Sequence, residues 1–210
     1  MGYTKENQSP LLEMKDFRVL FPGRKGPMAA VDGVDLSIYP GEIVGVVGES
    51  GSGKSVMSQS ILRLREYETS VRYEGSIRFE GEDLLQLPLS DLRRIRGNRI
   101  SVIFQDPLTS LSPVHTVGKQ MGEVLRLHKK LPRKAALEKS GELLKLVGIP
   151  DPARCLGQYP YELSGGMQQR VMIAMALSCE PALLIADEPT TALDVTIQEQ
   201  ILDLIAQLNE

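Results

Sequence analysis

The sequence predicts an α/β fold, with an antiparallel β layer at the N-terminus and a helical block inserted before the last strand. Three observations carry that expectation. A β-branched run, Ile43 to Val47, leads into a glycine-rich loop, Gly48 to Ser55 (GESGSGKS), and then into a helical pattern. Strand-like alternation fills Leu11 to Phe21 and Val34 to Tyr39. Helical spacing fills the middle of the chain, and a later apolar run, Leu183 to Glu188 (LLIADE), ends in two carboxylates.

Residues 1–10 are polar and read as a loose N-terminus, so the domain is expected over residues 11–210. Pro22, Gly23, Gly26 and Pro27 mark a loop after the first strand, and Pro40-Gly41 turns the chain after the second. Ile43 to Val47 is continuously apolar, as a strand buried on both faces should be. A helix is expected from about Gly53 to Arg65, then a strand at Ser76 to Glu80 with Ile77 and Phe79 on one face, then a buried strand at Ile100 to Phe104. Thr116 to His128 and Arg133 to Val147 carry helical spacing; Leu137, Leu144 and Val147 share a face, and Gly148-Ile149-Pro150 ends the second helix. This Pro-bounded block, about residues 106–161, is a candidate helical subdomain. Gly165 to Ser178 reads as a helix, Ala182 to Ala186 as a strand, and Val195 to Leu208 as an amphipathic helix. That last pattern runs to Glu210 without a capping residue, so a truncated domain is expected.

Composition excludes several classes. The chain has 210 residues, 42% hydrophobic and 24% charged, which suits one globular unit with a sizeable core. A formal charge of -3 gives no electrostatic case for nucleic acid, and the basic runs Arg93, Arg94, Arg96 and Arg126, His128, Lys129, Lys130 read as solvated faces. No apolar run approaches the roughly 18 residues of a membrane span, no signal region opens the chain, and Glu6 at the sixth position argues against myristoylation. Cys155 and Cys179 are isolated and read as reduced thiols of a cytosolic protein; His115 and His128 lack metal-ligand spacing.

The chemistry sits in four places. GESGSGKS follows a strand pattern and opens a helix, the context in which such a loop binds phosphate. Gly48, Gly51 and Gly53 let the backbone curl so that N–H groups of Glu49, Ser50, Ser52 and their neighbours point inward, while Val56 adds a backbone donor at the helix start. Lys54 should reach the β- and γ-phosphates, and Ser55 should ligate Mg²⁺. In LLIADE, Asp187 is placed to hold Mg²⁺, and Glu188 to orient and deprotonate an attacking water. Gln105 closes the Ile100–Phe104 run, and its neutral amide can serve both the metal and that water. Finally, in Leu163 to Arg170 (LSGGMQQR), Ser164 is a good N-cap, and Gly165 and Gly166 expose N–H groups at a helix start. This second anion site cannot easily serve the phosphates already held by the first loop, so its simplest use is on nucleotide bound to a partner molecule.

These motifs together resemble the nucleotide-binding subunit of an ABC transporter. GESGSGKS is similar to the Walker A motif, Gln105 to the Q-loop glutamine, LSGGMQQR to the family signature, LLIADE to Walker B, and Thr191 to Asp194 (TALD) to the D-loop, in the family's order. Glu49 in the loop, FQDPLTSLSP (Phe104 to Pro113), TTALDVTIQ (Thr190 to Gln198) and YPYELSGGMQQRVMIAMAL around the signature resemble the oligopeptide, dipeptide and nickel importers; Ser112 stands where that group commonly has Asn.

The resemblance implies a P-loop NTPase core with an antiparallel β subdomain and an inserted helical one. It implies ATP hydrolysis with Mg²⁺, coupled to peptide import, at the cytoplasmic face of the membrane. It further implies a second ATPase subunit, identical or paralogous and packed head to tail, with Asp194 crossing the interface. Transmembrane permease subunits and, indirectly, an extracytoplasmic substrate-binding protein complete the set. The family's adenine-stacking aromatic falls on Phe21, with Tyr39 as the lesser option. The family's switch histidine has no counterpart, since neither histidine lies beyond Leu163. Nickel import, and a partner subunit that binds ATP without cleaving it, stay open. A DNA-repair ATPase would need a long heptad insert and a GTPase an NKxD-type guanine reader; neither is present.

Overall fold

The computed structural model describes residues 8–23, 26–65, 71–106, 110–188, 198–199 and 206. The chain divides into two compact units, Met1–Arg93 and Arg94–Glu210.

The first unit is built on a four-stranded antiparallel sheet of order β2-β1-β3-β4. Its strands are β1 (Leu12–Gly23), β2 (Gly26–Ile38), β3 (Arg72–Phe79) and β4 (Glu82–Asp83). The pleat sends Leu12, Met14, Phe17, Val19, Ile77 and Phe79 to one buried face. Phe17 stacks on Tyr73 with ring centroids 6.3 Å apart. The hairpin is tighter than the loop expected at Pro22 to Pro27: Pro22 pairs with Pro27 and Gly23 with Gly26, so these residues end the strands. β2 likewise starts eight residues before the expected Val34, because pairing with β1 overrides the weak strand propensity of Gly26, Pro27, Ala29 and Ala30. Helix α1 (Lys54–Ile61) packs on β1 and β2, and the chain leaves the helix at Leu62 to Arg65, earlier than the pattern predicts.

One expectation fails outright. Residues Ile43 to Val47 form no strand, and Ile43 is 68% and Val47 96% exposed. A doubly buried strand exists only where neighbours bond to both of its edges. Among the described residues nothing pairs with this run, and the parallel sheet has two strands only.

The second unit holds that sheet, β5 (Ile100–Ile103) and β6 (Leu183–Ala186), paired from Ile100↔Leu183 to Ile103↔Ala186. Around it lie α3 (Val117–His128), α4 (Arg133–Leu146), α5 (Pro152–Gly157) and α6 (Gly165–Leu177), with α2 (Leu89–Ile95) earlier in the chain. Thr116 caps α3 by accepting from the Lys119 N–H, and Asp151 caps α5 through Arg154. α6 is apolar on all sides: Val171, Met172, Ile173, Ala174, Ala176 and Leu177 are all buried, so it is the central helix of this unit. Leu144, Val147, Val117 and Met121 complete the core against it. His115 has a structural setting, with Nδ1 3.1 Å from the Ser112 hydroxyl and its carbonyl accepting from Gln120. Most of the expected helix at Val195 to Leu208 lies outside the described residues; Gln198, Glu199 and Ala206 are helical.

Candidate nucleotide site

The glycine loop is held by its own backbone. Ser52 N–H donates to the Glu49 carbonyl at 3.2 Å, and Gly53 caps α1 with φ +93°, a conformation open mainly to glycine. Gly53 faces a second constraint: a Cβ there would overlap the Ala30 carbonyl oxygen of β2. The loop is thus seated against the hairpin, and only glycine fits the seat. Lys54 curls back over it, with Nζ donating to the carbonyls of Gly48 (2.7 Å) and Glu49 (2.9 Å). Those two oxygens occupy the ammonium where phosphate oxygens would compete for it. Ser55 and Val56 lie in the first turn of α1, next to Lys54. Phe21 is half-buried and pairs with Met28, two residues from the Ala30 carbonyl that backs the loop. Tyr39, also half-buried, follows β2 and is tied to the Pro40-Gly41 turn through Glu42.

The second unit gathers the strand-end residues. Parallel pairing of β5 with β6 brings both C-terminal ends to one edge, the place where open parallel sheets bind ligands. Asp187 N–H extends the ladder to the Ile103 carbonyl at 2.9 Å. Gln105 Nε2 donates to Glu188 Oε2 at 2.6 Å, joining residues 83 positions apart. Glu188 has φ +47°, a left-handed conformation that costs a non-glycine residue about 1 kcal/mol or more. Glu188 and Gln105 are exposed and Asp187 is half-buried.

The LSGGMQQR segment divides in two. Ser164 is the N-cap of α6, accepting from Met167 N–H at 3.3 Å, and Gly165 and Gly166 form the first turn. A Cβ on Gly165 would meet nothing, so its surface is open. The other half is structural, which the sequence reading missed. Gln168 is 5% exposed, and its amide donates to the carbonyls of Pro160 (2.8 Å) and Leu163 (3.3 Å). Arg170 reaches the Val147 carbonyl at the end of α4, beside Gly148, whose φ of +76° closes that helix. The signal was available: a polar run inside an otherwise apolar helix has to be satisfied internally.

A groove of about 660 Å³ lies elsewhere, among Thr116, Lys119, Arg126, Arg133 and Leu156, and includes none of the predicted site residues. Asp194 lies outside the described residues. Among the described residues no cluster of three His, Cys, Asp or Glu side chains forms a metal site, and no helix is long and apolar enough to cross a membrane.

Residues 31–191 match the family described as ABC transporter. The chain is 54% identical over 200 residues to a probable peptide ABC transporter ATP-binding protein, y4tR, of Sinorhizobium fredii, covering 95% of this chain and 60% of that protein. It is 52% identical to the oligopeptide transport ATP-binding protein AppD of Bacillus subtilis, covering 95% and 61%. Among solved structures it is similar to a dimeric post-hydrolysis state of the ATP-binding cassette MJ0796 bound to ADP and Pi. That match has 31% identity and a TM-score of 0.84, and covers 95% of this chain and 83% of the other. The chain therefore belongs to the ABC transporter family, and its fold class is the P-loop NTPase core with an antiparallel β subdomain and an inserted helical subdomain. It spans about 60% of the length of the curated relatives it matches.

Proposed function

We propose that this chain carries the ATP-binding and ATP-hydrolysing site of a subunit that powers peptide import through a membrane permease. The observation that carries the reading is the Gln105–Glu188 hydrogen bond, which joins the amide and the carboxylate at one sheet edge in the chemistry the motifs imply. The peptide assignment is supported by relatives named as peptide and oligopeptide transporters. The dimeric cassette supports pairing with a second ATPase subunit. Such a subunit works at the cytoplasmic face of the membrane, with permease subunits and a substrate-binding protein as its further partners. The helical block over residues 106–161 is the natural relay from Gln105 to the permease.

In this reading Gly48 to Ser55 and the Val56 N–H hold the phosphates, and Lys54 exchanges its two loop carbonyls for β- and γ-phosphate oxygens. Phe21 takes one face of the adenine. Ser164, Gly165 and Gly166 serve the γ-phosphate of the partner's ATP, and Asp194 lies at the subunit contact. Glu188 accepts a proton from water as the water oxygen bonds to the γ-phosphorus; the bond to the bridging oxygen breaks, releasing ADP and phosphate. Ser55, Gln105 and Asp187 offer hydroxyl, amide and carboxylate oxygens, a donor set that fits Mg²⁺. Gln105 Nε2 donates to Glu188, and its Oε1 is the amide atom that would ligate the ion. The ion, when bound, supplies charge neutralisation at the phosphates.

Turnover by the complete subunit in its permease complex tests the reading. Glu188→Gln should lower ATP hydrolysis on the order of a hundredfold or more while ATP stays bound. Wild-type turnover by Glu188→Gln would remove the base assignment.

A further inference from the structure

The head-to-tail reading leaves one face of the adenine unassigned, and the structure has a group suited to it. Tyr159 and Tyr161 stack just ahead of α6, with ring centroids 5.5 Å apart and planes 11° apart. Tyr161 is 69% exposed and Tyr159 36%. We propose that Tyr161, backed by Tyr159, is a base-binding ledge that stacks on the purine of the ATP held by the partner subunit's phosphate loop. This rests on the proposed function above.

The ledge is fixed to the α6 N-terminus. Tyr159 N–H donates to Glu162 Oε2 at 2.7 Å, and Glu162 N–H returns to the Tyr159 carbonyl at 3.0 Å. Pro160 between the rings is buried and has a fixed φ, and its carbonyl accepts from both Leu163 N–H and the buried Gln168 amide. Gln168 thus joins the aromatic turn to the first turn of α6. Only Glu162 and Leu163 separate Tyr161 from Ser164, so their Cα atoms lie within about 11 Å. A nucleotide whose γ-phosphate meets the N–H groups of Gly165 and Gly166 can therefore lay its base against the nearby ring. Exposed rings held at fixed distance from an anion-binding helix end combine the two contacts a nucleotide offers, charge and a flat π face. The stack needs the ring and not the hydroxyl, and it favours a purine over a pyrimidine.

The test is ATP and CTP hydrolysis by the complete transporter carrying Tyr161→Ala or Tyr161→Phe. Tyr161→Ala should raise the KM for ATP about tenfold, as loss of one base stack implies, and shift CTP much less; Tyr161→Phe should keep the wild-type preference. If Tyr161→Ala weakens ATP and CTP equally, or lowers Tm with no change in preference, the ring is a structural prop and the ledge is refuted. The reading beneath it is checked separately by ATP-dependent dimer closure in Glu188→Gln. Without closure the head-to-tail arrangement falls and the ledge with it; closure with an unchanged ATP/CTP ratio in Tyr161→Ala removes the ledge alone.

Discussion

At the residue scale, the phosphate loop shows how one glycine answers two demands. Gly53 needs both its left-handed backbone and the absence of a Cβ against Ala30. Gly53→Ala is expected to displace the loop from the hairpin and to abolish ATP binding with only a modest fall in global stability, since the loop is exposed. Nucleotide titration alongside thermal unfolding checks this, and wild-type affinity in Gly53→Ala would show that the seat is not needed. Lys54, Ser55 and Glu188 stand out as candidates in the sequence because the chemistry proposed for them is tied to residue type and near neighbours. The Gln105–Glu188 bond was not legible, because 83 positions separate the partners and only strand register brings them together.

At the element scale, α6 is the pivot. Gly165 at its start is exposed, most of its body is buried, and its polar residues Gln168 and Arg170 bind it to the Pro160 turn and to the end of α4. Gln168→Leu would leave the Pro160 and Leu163 carbonyls without their amide donor inside the unit. A loss of about 1–3 kcal/mol is expected, read as a lower denaturation midpoint at unchanged m-value. A neutral result would mean the segment finds other partners. The helical patterns at Thr116 to His128, Arg133 to Val147 and Gly165 to Ser178 were read from sequence within a residue, because 3.6-residue periodicity survives in isolation; the one at Gly53 to Arg65 ran four residues too far. The hairpin ends and α5 were not legible: a strand rich in glycine and alanine exists only through its partner, and a six-residue helix is too short to show a period.

At the scale of the whole molecule, half-buried His128 and buried Cys155 and Cys179 set a pH window. Burial, with help from Lys129, holds His128 below its ordinary value. The folded state then binds fewer protons than the unfolded one, so this contribution is complete above about pH 6.5 and is lost as pH falls below it. Burial, and next the Asp151 charge, push the Cys155 thiol up; burial dominates at Cys179 too. There the folded state holds the proton more tightly, so stability is intact below about pH 8.5 and declines as pH rises beyond it. Denaturation midpoints from pH 5 to 10 should therefore fall at both ends, and His128→Gln should flatten the limb between pH 7 and 5. An unchanged acid limb in that variant would exclude His128 as its source. The run Ile43 to Val47, exposed and without strand partners among the described residues, has a second consequence, since such an apolar segment templates association. The 210-residue chain should self-associate with rising concentration, and Val47→Lys should reduce it in light scattering.

The sequence by itself determined the α/β class, the order of the motifs and the residue types of the candidate site. Phosphate cradling, metal ligation and proton transfer each demand particular atoms at short spacing along the chain. Tertiary structure decided the rest. It showed which part of LSGGMQQR is surface and which is mortar, that Ile43 to Val47 lacks strand partners among the described residues, and that Gln105 meets Glu188. Those outcomes depend on what lies beside a residue in space, and pairing between distant strands fixes that only once the chain has folded.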